Sequence, residues 1–325
     1  MILPETDEAE TALAAVRGAF ESGGGMDPLQ ASVLATIARS LYGIDADSLP
    51  PPMEPPAFLA TGPGPALRQG TVSLMVILEM LAHPLRPEVA RSVTDYAHRL
   101  GVTQRMVDAA RALADQHLHA MYEDIARSSW FRHQTVHGAL HGQFVESVRS
   151  RLAYQGVIRS GPIARKWEAL RHCPEGSWGR GVADFYERHE FPFPGELGGI
   201  REIGATHDFV HVLADYDATP AGEIEVFAFI GAAMPSQWGL GMLCFTLGIF
   251  QNDSIHNVLG KPVAIGRADT LSDPGNVDRF GEALARGRAT TVDVLGGVDH
   301  FALAPVDLEE LRHRFNVVPR LDTDG

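Results

Sequence analysis

Cysteine is scarce in this sequence: 325 residues hold two, Cys173 and Cys244. They lie far apart and form no Cys-x-x-Cys, so neither a disulfide framework nor a zinc ribbon is supported, which fits a reducing cytoplasm. Positive charge is also short, with 27 Lys and Arg against 41 Asp and Glu and a formal net charge of −14. A nucleic-acid binder draws its affinity from phosphate neutralisation by Lys and Arg, so no nucleic-acid partner is expected. The same deficit argues against attraction of the whole surface to anionic lipid, while a local basic patch stays open. No uninterrupted apolar run nears the roughly 20 residues of a membrane span. The nearest, Trp238 to Phe250, is too short and carries three glycines. The N-terminal residues Met1-Ile2-Leu3-Pro4-Glu5 turn acidic at once, without the basic and apolar regions of a signal peptide. The expected location is cytoplasmic. Strand-like alternation is nearly missing, with Thr290–Val294 the one candidate, and no internal repeat has a fixed period.

What is present reads as helix. Ala12, Leu13, Val16 and Phe20 share one face of a helix over 1–22, ended by Gly23-Gly24-Gly25. A second helix runs from about Pro28 to Leu41. Prolines 50, 51, 52, 55, 56, 63 and 65 then remove so many N–H donors that a long surface loop is predicted. A ligand for a proline-reading domain is the other reading of that stretch. The helical pattern resumes over Val72–Leu81 and Pro87–Leu100, closed by Gly101. Thr103 caps a further helix bearing Met106, Val107, Ala110 and Leu113. After a joining segment, the chain from Pro162 to about Pro319 again reads mostly as helix, over 163–171, 178–188, 199–215, 220–234, 239–250, 277–286 and 307–314. These patterns predict an all-α protein of two helical domains: residues 1–127 with their proline-rich loop at 50–65, a linker helix over 128–161, and a metal-binding domain over 162–319. In helix lengths and acidic loops the N-terminal block resembles tellurite-resistance B type helical domains.

The most specific block is His207-Asp208-Phe209-Val210-His211, followed by Glu223. Residues four apart share a helix face, so His207 and His211 can point at one ion. Neutral imidazole is a common ligand for zinc and similar metals. Asp208, just under a third of a turn away, can ligate directly or orient an imidazole. Thr219 and Pro220 suit the N-cap and first position of a returning helix. That helix would bring Glu223 to the pair, giving a site between two helices of a bundle. Among 14 histidines one such pair arises by chance; the adjacent Asp208, the placed Glu223 and the apolar surroundings raise the metal reading above it. The order His-Asp-x-x-His differs from the His-Glu-x-x-His of zinc peptidases. Asp208 is one methylene too short to serve as their general base, so peptidase chemistry is disfavoured.

The pattern His-Asp-x-x-His, eleven residues, then Glu resembles the signature of the coenzyme Q biosynthesis Coq-four family, matched by His207, Asp208, His211 and Glu223. The segments Pro174-Glu175-Gly176-Ser177-Trp178-Gly179-Arg180, Ala221-Gly222-Glu223, Arg286-Gly287 and Pro305 to Arg312 resemble its surroundings, over roughly residues 163 to 318. The resemblance implies an all-helical domain holding a divalent metal, usually zinc, at those four positions. It further implies isoprenoid or quinone-precursor binding in an apolar cavity, peripheral membrane contact and a homodimer. The implied role is in ubiquinone synthesis. One form of that role is a metal-dependent oxidative decarboxylase, a lyase acting on a prenylated or related aromatic acid, with the metal as Lewis acid. The other is a non-catalytic scaffold that presents quinone precursors to a biosynthetic complex. Val210 stands where the family pattern leads one to expect an aromatic residue, and Ile203-Gly204-Ala205-Thr206 is less basic than expected.

Other candidates carry less. His133, His137 and His141 are spaced by four, but the outer two would lie about 12 Å apart along a helix, too far for one ion. With Gly138 and Gly142 beside them and no carboxylate at ligand spacing, they read as a solvated linker face. His117 and His119 face different ways. The apolar segment from Trp238 to Phe245 reads as a buried core helix, with a lipid-cavity wall or a face resting on a membrane as the functional alternative. Cys244 within it reads as a small buried hydrophobe. Gly195-Glu196-Leu197-Gly198-Gly199 lacks the Lys-Ser/Thr of a phosphate loop. Glu202 and Glu225 read as solvated surface, with a supporting role to the metal ligands as the other reading.

Overall fold

A computed structural model describes residues 1–102, 159–253, 257–258, 261–262 and 268–320. The helix expected after Thr103, the histidines at 117, 119, 133, 137 and 141 and nearly all of the 128–161 linker lie outside the described residues. The regular structure is all-α, apart from one two-residue antiparallel pair, β1 (Asn257–Val258) with β2 (Lys261–Pro262), and an isolated bridge between Ser177 and Asp307. In chain order the described helices are α1 (Ala9–Ser22), α2 (Pro28–Tyr42), α3 (Pro55–Ala60), α4 (Pro65–Glu79), α5 (Pro87–Arg99), α6 (Gly161–Glu168) and α7 (Trp178–Arg188). They continue with α8 (Glu202–Ala205), α9 (Asp208–Ala214), α10 (Pro220–Ala233), α11 (Trp238–Phe250), α12 (Asn276–Ala289), α13 (His300–Leu303) and α14 (Leu308–Phe315). No described helix is long and apolar enough to cross a membrane.

The expected proline-rich loop is corrected by two of its own prolines. Pro55 opens α3 and Pro65 opens α4. At the first position of a helix the missing N–H would have no intrahelical partner anyway, and the fixed φ of proline suits the turn. Proline density therefore marks helix starts here, and α4 begins well before Thr71. The single helix expected over 199–215 is also corrected: it is broken into α8 and α9. Thr206 Oγ1 donates to the Ile203 carbonyl at 3.1 Å and His207 Nδ1 donates to the Gly204 carbonyl. Both side chains bond carbonyls three residues back, offering that turn an alternative to the helical ladder. The strand expected over Thr290–Val294 is absent; that stretch is a bend, tied at Thr291 N to the Phe315 carbonyl.

The described residues group into two compact units that interleave along the chain. Residues 1–102 and 219–289 belong to one, and 159–218 with 290–320 to the other. The expected order was consecutive; here 219–289 joins the N-terminal helices. The reason lies in α10 and α11, which are apolar nearly all round and need partners on several sides. In this first unit α10 packs on α11 and α12, and α12 packs on α2. The α10–α12 crossing is close because residue 287 is glycine. A Cβ there would lie 2.2 Å from the Phe229 carbonyl oxygen, a backbone atom that cannot swing aside. Cys244 is fully buried in α11, and burial drives its thiol pKa up.

The second unit is built around α7. Ser177 caps it, accepting from Arg180 N at 3.3 Å. Trp178, Val182, Phe185 and Tyr186 fall on one helical face and are buried. Trp178 and Tyr186 join Trp167 of α6, Phe209 of α9 and Phe301 of α13 in an aromatic core with ring centroids 5.2–5.7 Å apart in its main contacts. Trp178 N donates to the Val306 carbonyl at 2.9 Å, and Leu308 N to the Gly176 carbonyl at 3.0 Å. Thus two segments separated by more than a hundred residues, 174–180 and 305–312, lie side by side.

Candidate metal centre

The three residues His207, Asp208 and His211 converge in the second unit. Each offers one ligand atom, and these atoms lie within 4.8 Å of one another. The helical spacing read from the sequence is present: His211 N donates to the His207 carbonyl at 3.1 Å, and the two imidazole centroids are 5.2 Å apart. Asp208 and His211 are buried, and His207 is nearly so, with 13% of its side chain exposed.

Both imidazoles have a defined tautomer. His207 Nδ1 is bonded to the Gly204 carbonyl and His211 Nδ1 to the Tyr216 carbonyl at 3.2 Å. A carbonyl oxygen only accepts, so each Nδ1 carries the proton. In the neutral ring the lone pair is then on Nε2. Anchoring of one ring nitrogen to a backbone carbonyl is how metal-binding histidines are commonly oriented. The anchor for His211 depends on Asp215, which adopts the left-handed conformation with φ +61° after α9. That turn brings Tyr216 back so that its N–H reaches the His211 carbonyl at 2.9 Å while its own carbonyl meets the ring. The Val212 and Leu213 carbonyls, left over at the end of α9, accept from Arg312 of α14 at 3.1 and 2.9 Å.

The carboxylate completes the cluster. Asp208 Oδ1 lies 3.4 Å from His207 Nε2. Two ligands bound tetrahedrally to zinc at 2.0–2.1 Å sit about 3.4 Å apart, so this pair already has the spacing one ion requires. The other oxygen, Oδ2, accepts from the hydroxyl of Tyr186. Two imidazole Nε2 atoms and a carboxylate oxygen form a borderline donor set suited to zinc and neighbouring divalent metals, and unlike the all-oxygen cages of calcium or magnesium. The residues present fit a divalent metal.

The fourth expected ligand, Glu223, stands in the first turn of α10 in the other unit. Thr219 caps that helix by accepting from Gly222 N at 3.1 Å, with Pro220 at its first position, as the sequence indicated. Of the two accompanying carboxylates, Glu225 is buried and bound to Arg279 at 2.8 Å, which corrects its reading as solvated surface. Glu202 is part-exposed and accepts from Lys166 Nζ at 2.8 Å and Trp167 Nε1 at 3.1 Å. Sequence reasoning passed over Tyr186 and Phe185 and named Trp178 only within a flanking segment; all three support the ligand helix. Trp178 Nε1 donates to the Phe209 carbonyl at 2.7 Å, and Phe185 stacks on His211. Their spacing marks one helical face, but nothing local ties that face to His207–His211. No protein-family model matches this chain, and no curated protein matches it either.

Proposed function

We propose that this chain holds one divalent metal ion, zinc, and acts in ubiquinone-type biosynthesis as a metal-dependent decarboxylase of a prenylated or related aromatic acid. The observation that carries the metal is the convergence of His207, Asp208 and His211, whose ligand atoms lie within 4.8 Å of one another, with each imidazole anchored through Nδ1 to a backbone carbonyl. The reaction class rests on the resemblance of these residues and their flanking segments to the Coq-four family. When bound, such an ion supplies Lewis acidity toward a carboxylate or hydroxyl of the ring. The chain's own part is to hold three donors in place and to keep them largely out of water. The ligand on this reading is an isoprenoid-bearing quinone precursor, and the working form is a homodimer that touches the membrane peripherally.

Elemental analysis of the purified chain and of His211→Ala tests the metal. The wild type retains about one equivalent of zinc after desalting, and the variant loses it. Equal metal content in the two sinks the reading. Incubation of the loaded protein with a prenylated hydroxybenzoate, followed by mass spectrometry, tests the reaction. Loss of carbon dioxide supports decarboxylation. A precursor that is bound and returned unchanged assigns the chain a scaffold role instead.

A further inference from the structure

We infer that Tyr186 is a positioning residue of the metal centre, holding Asp208 so that it offers a single oxygen to the ion. The inference rests on the metal reading above and adds to it a determinant of metal choice. The Tyr186 hydroxyl donates to Asp208 Oδ2, while Oδ1 faces His207 Nε2 at 3.4 Å. The hydroxyl is placed by packing. The Tyr186 ring is 1% exposed, stacks on Phe193 at 4.9 Å and 25°, and meets Trp167 at 5.7 Å. Its helix is held against the ligand helix by the Trp178 bond to the Phe209 carbonyl.

A carboxylate with one oxygen engaged by a buried donor presents the other to a metal. One-oxygen ligation keeps the coordination number low, as zinc favours; calcium takes six to eight oxygens and often both oxygens of a carboxylate. Tyr186 thereby selects for a small, low-coordinate ion.

The test is a zinc titration of the full chain and of Tyr186→Phe, each competed against a chromophoric chelator. The visible spectrum of the cobalt-loaded forms is recorded alongside. Phe retains the ring and its packing. Zinc affinity is expected to fall about 10- to 100-fold, with a changed cobalt spectrum and unchanged circular dichroism. A wild type that binds no metal overturns the metal reading and this inference together. A wild type that binds zinc while Tyr186→Phe matches it in affinity and cobalt spectrum overturns the inference alone. Should Tyr186→Phe fail to fold, the wild type decides: its zinc-minus-apo infrared difference spectrum, with carbon-13-labelled aspartate, is expected to show one-oxygen carboxylate ligation. Two-oxygen bands overturn the inference.

Discussion

Phe185 lies along the imidazole of His211, with ring centroids 5.4 Å apart and planes 27° from parallel. Phe185 is 3% exposed, and with the Tyr216 carbonyl it confines the ring on which the second nitrogen ligand depends. Replacement by Ala removes a buried aromatic and leaves a cavity beside His211. The expected loss is about 3 kcal/mol of unfolding free energy, measured by urea denaturation of the metal-free chain, together with weaker zinc binding. A variant as stable as wild type would show that the stacking is incidental.

Metal should stabilise the fold in proportion to its affinity. Ligands gathered in one unit of the folded chain are dispersed on unfolding, so zinc binds the native state preferentially. At a free zinc concentration of 100 times Kd the gain is about 2.7 kcal/mol. Thermal denaturation with and without added zinc checks this, with a chelator reversing the shift. His207→Ala and His211→Ala should abolish it. An unchanged midpoint in wild type would count against the site.

How much of this was legible in the sequence differs residue by residue. The facing of His207 and His211 follows from the helix period alone, and Thr219 with Pro220 marked the start of α10 by ordinary capping chemistry. Local signals of that kind reach four or five residues. They do not reach Tyr186, which lies 22 residues from Asp208 in the chain, and they cannot show that the Gly204 and Tyr216 carbonyls fix the two tautomers. Pro55 and Pro65 were misleading because the same missing N–H breaks a helix inside and suits its first turn. The break at Thr206–His207 comes from side-chain bonds to carbonyls three residues back, a competition that hydrophobic spacing does not register. Glu225 lies on a helix buried nearly all round, where spacing does not mark which carboxylate finds a cation; Arg279, its partner, is 54 residues on.

That pair supports a stability prediction for the first unit. Glu225 has 5% of its side chain exposed and binds Arg279 Nε at 2.8 Å, joining α10 to α12. Removing one member of a fully buried pair costs about 3–5 kcal/mol. Arg279, 29% exposed, recovers part of its hydration, so Glu225→Ala is expected to cost about 2 kcal/mol. Chemical denaturation measures the loss, and the zinc content of the variant should match wild type. A neutral effect would mean that the Arg279 charge is already well solvated.

His300 gives the fold a defined pH response. Its ring packs against Trp178 and Phe209, with centroids 5.3 and 5.2 Å away, and its Nε2 donates to the Val294 carbonyl at 2.9 Å. Burial lowers its pKa below the ordinary 6.5, outweighing the raising effects of the Val294 bond and of Asp299 and Asp293. The native state therefore resists protonation that the unfolded chain accepts. Above about pH 6.5 both states hold a neutral ring and stability is full. As pH falls from there toward the lowered native pKa, the unfolded state binds more protons and stability declines. His300→Gln retains an amide donor for Val294 and cannot titrate. Unfolding free energies measured from pH 7.5 to 5 in the presence of chelator should fall less steeply in His300→Gln than in wild type. Parallel slopes would show that the ring titrates alike in the folded and unfolded chain.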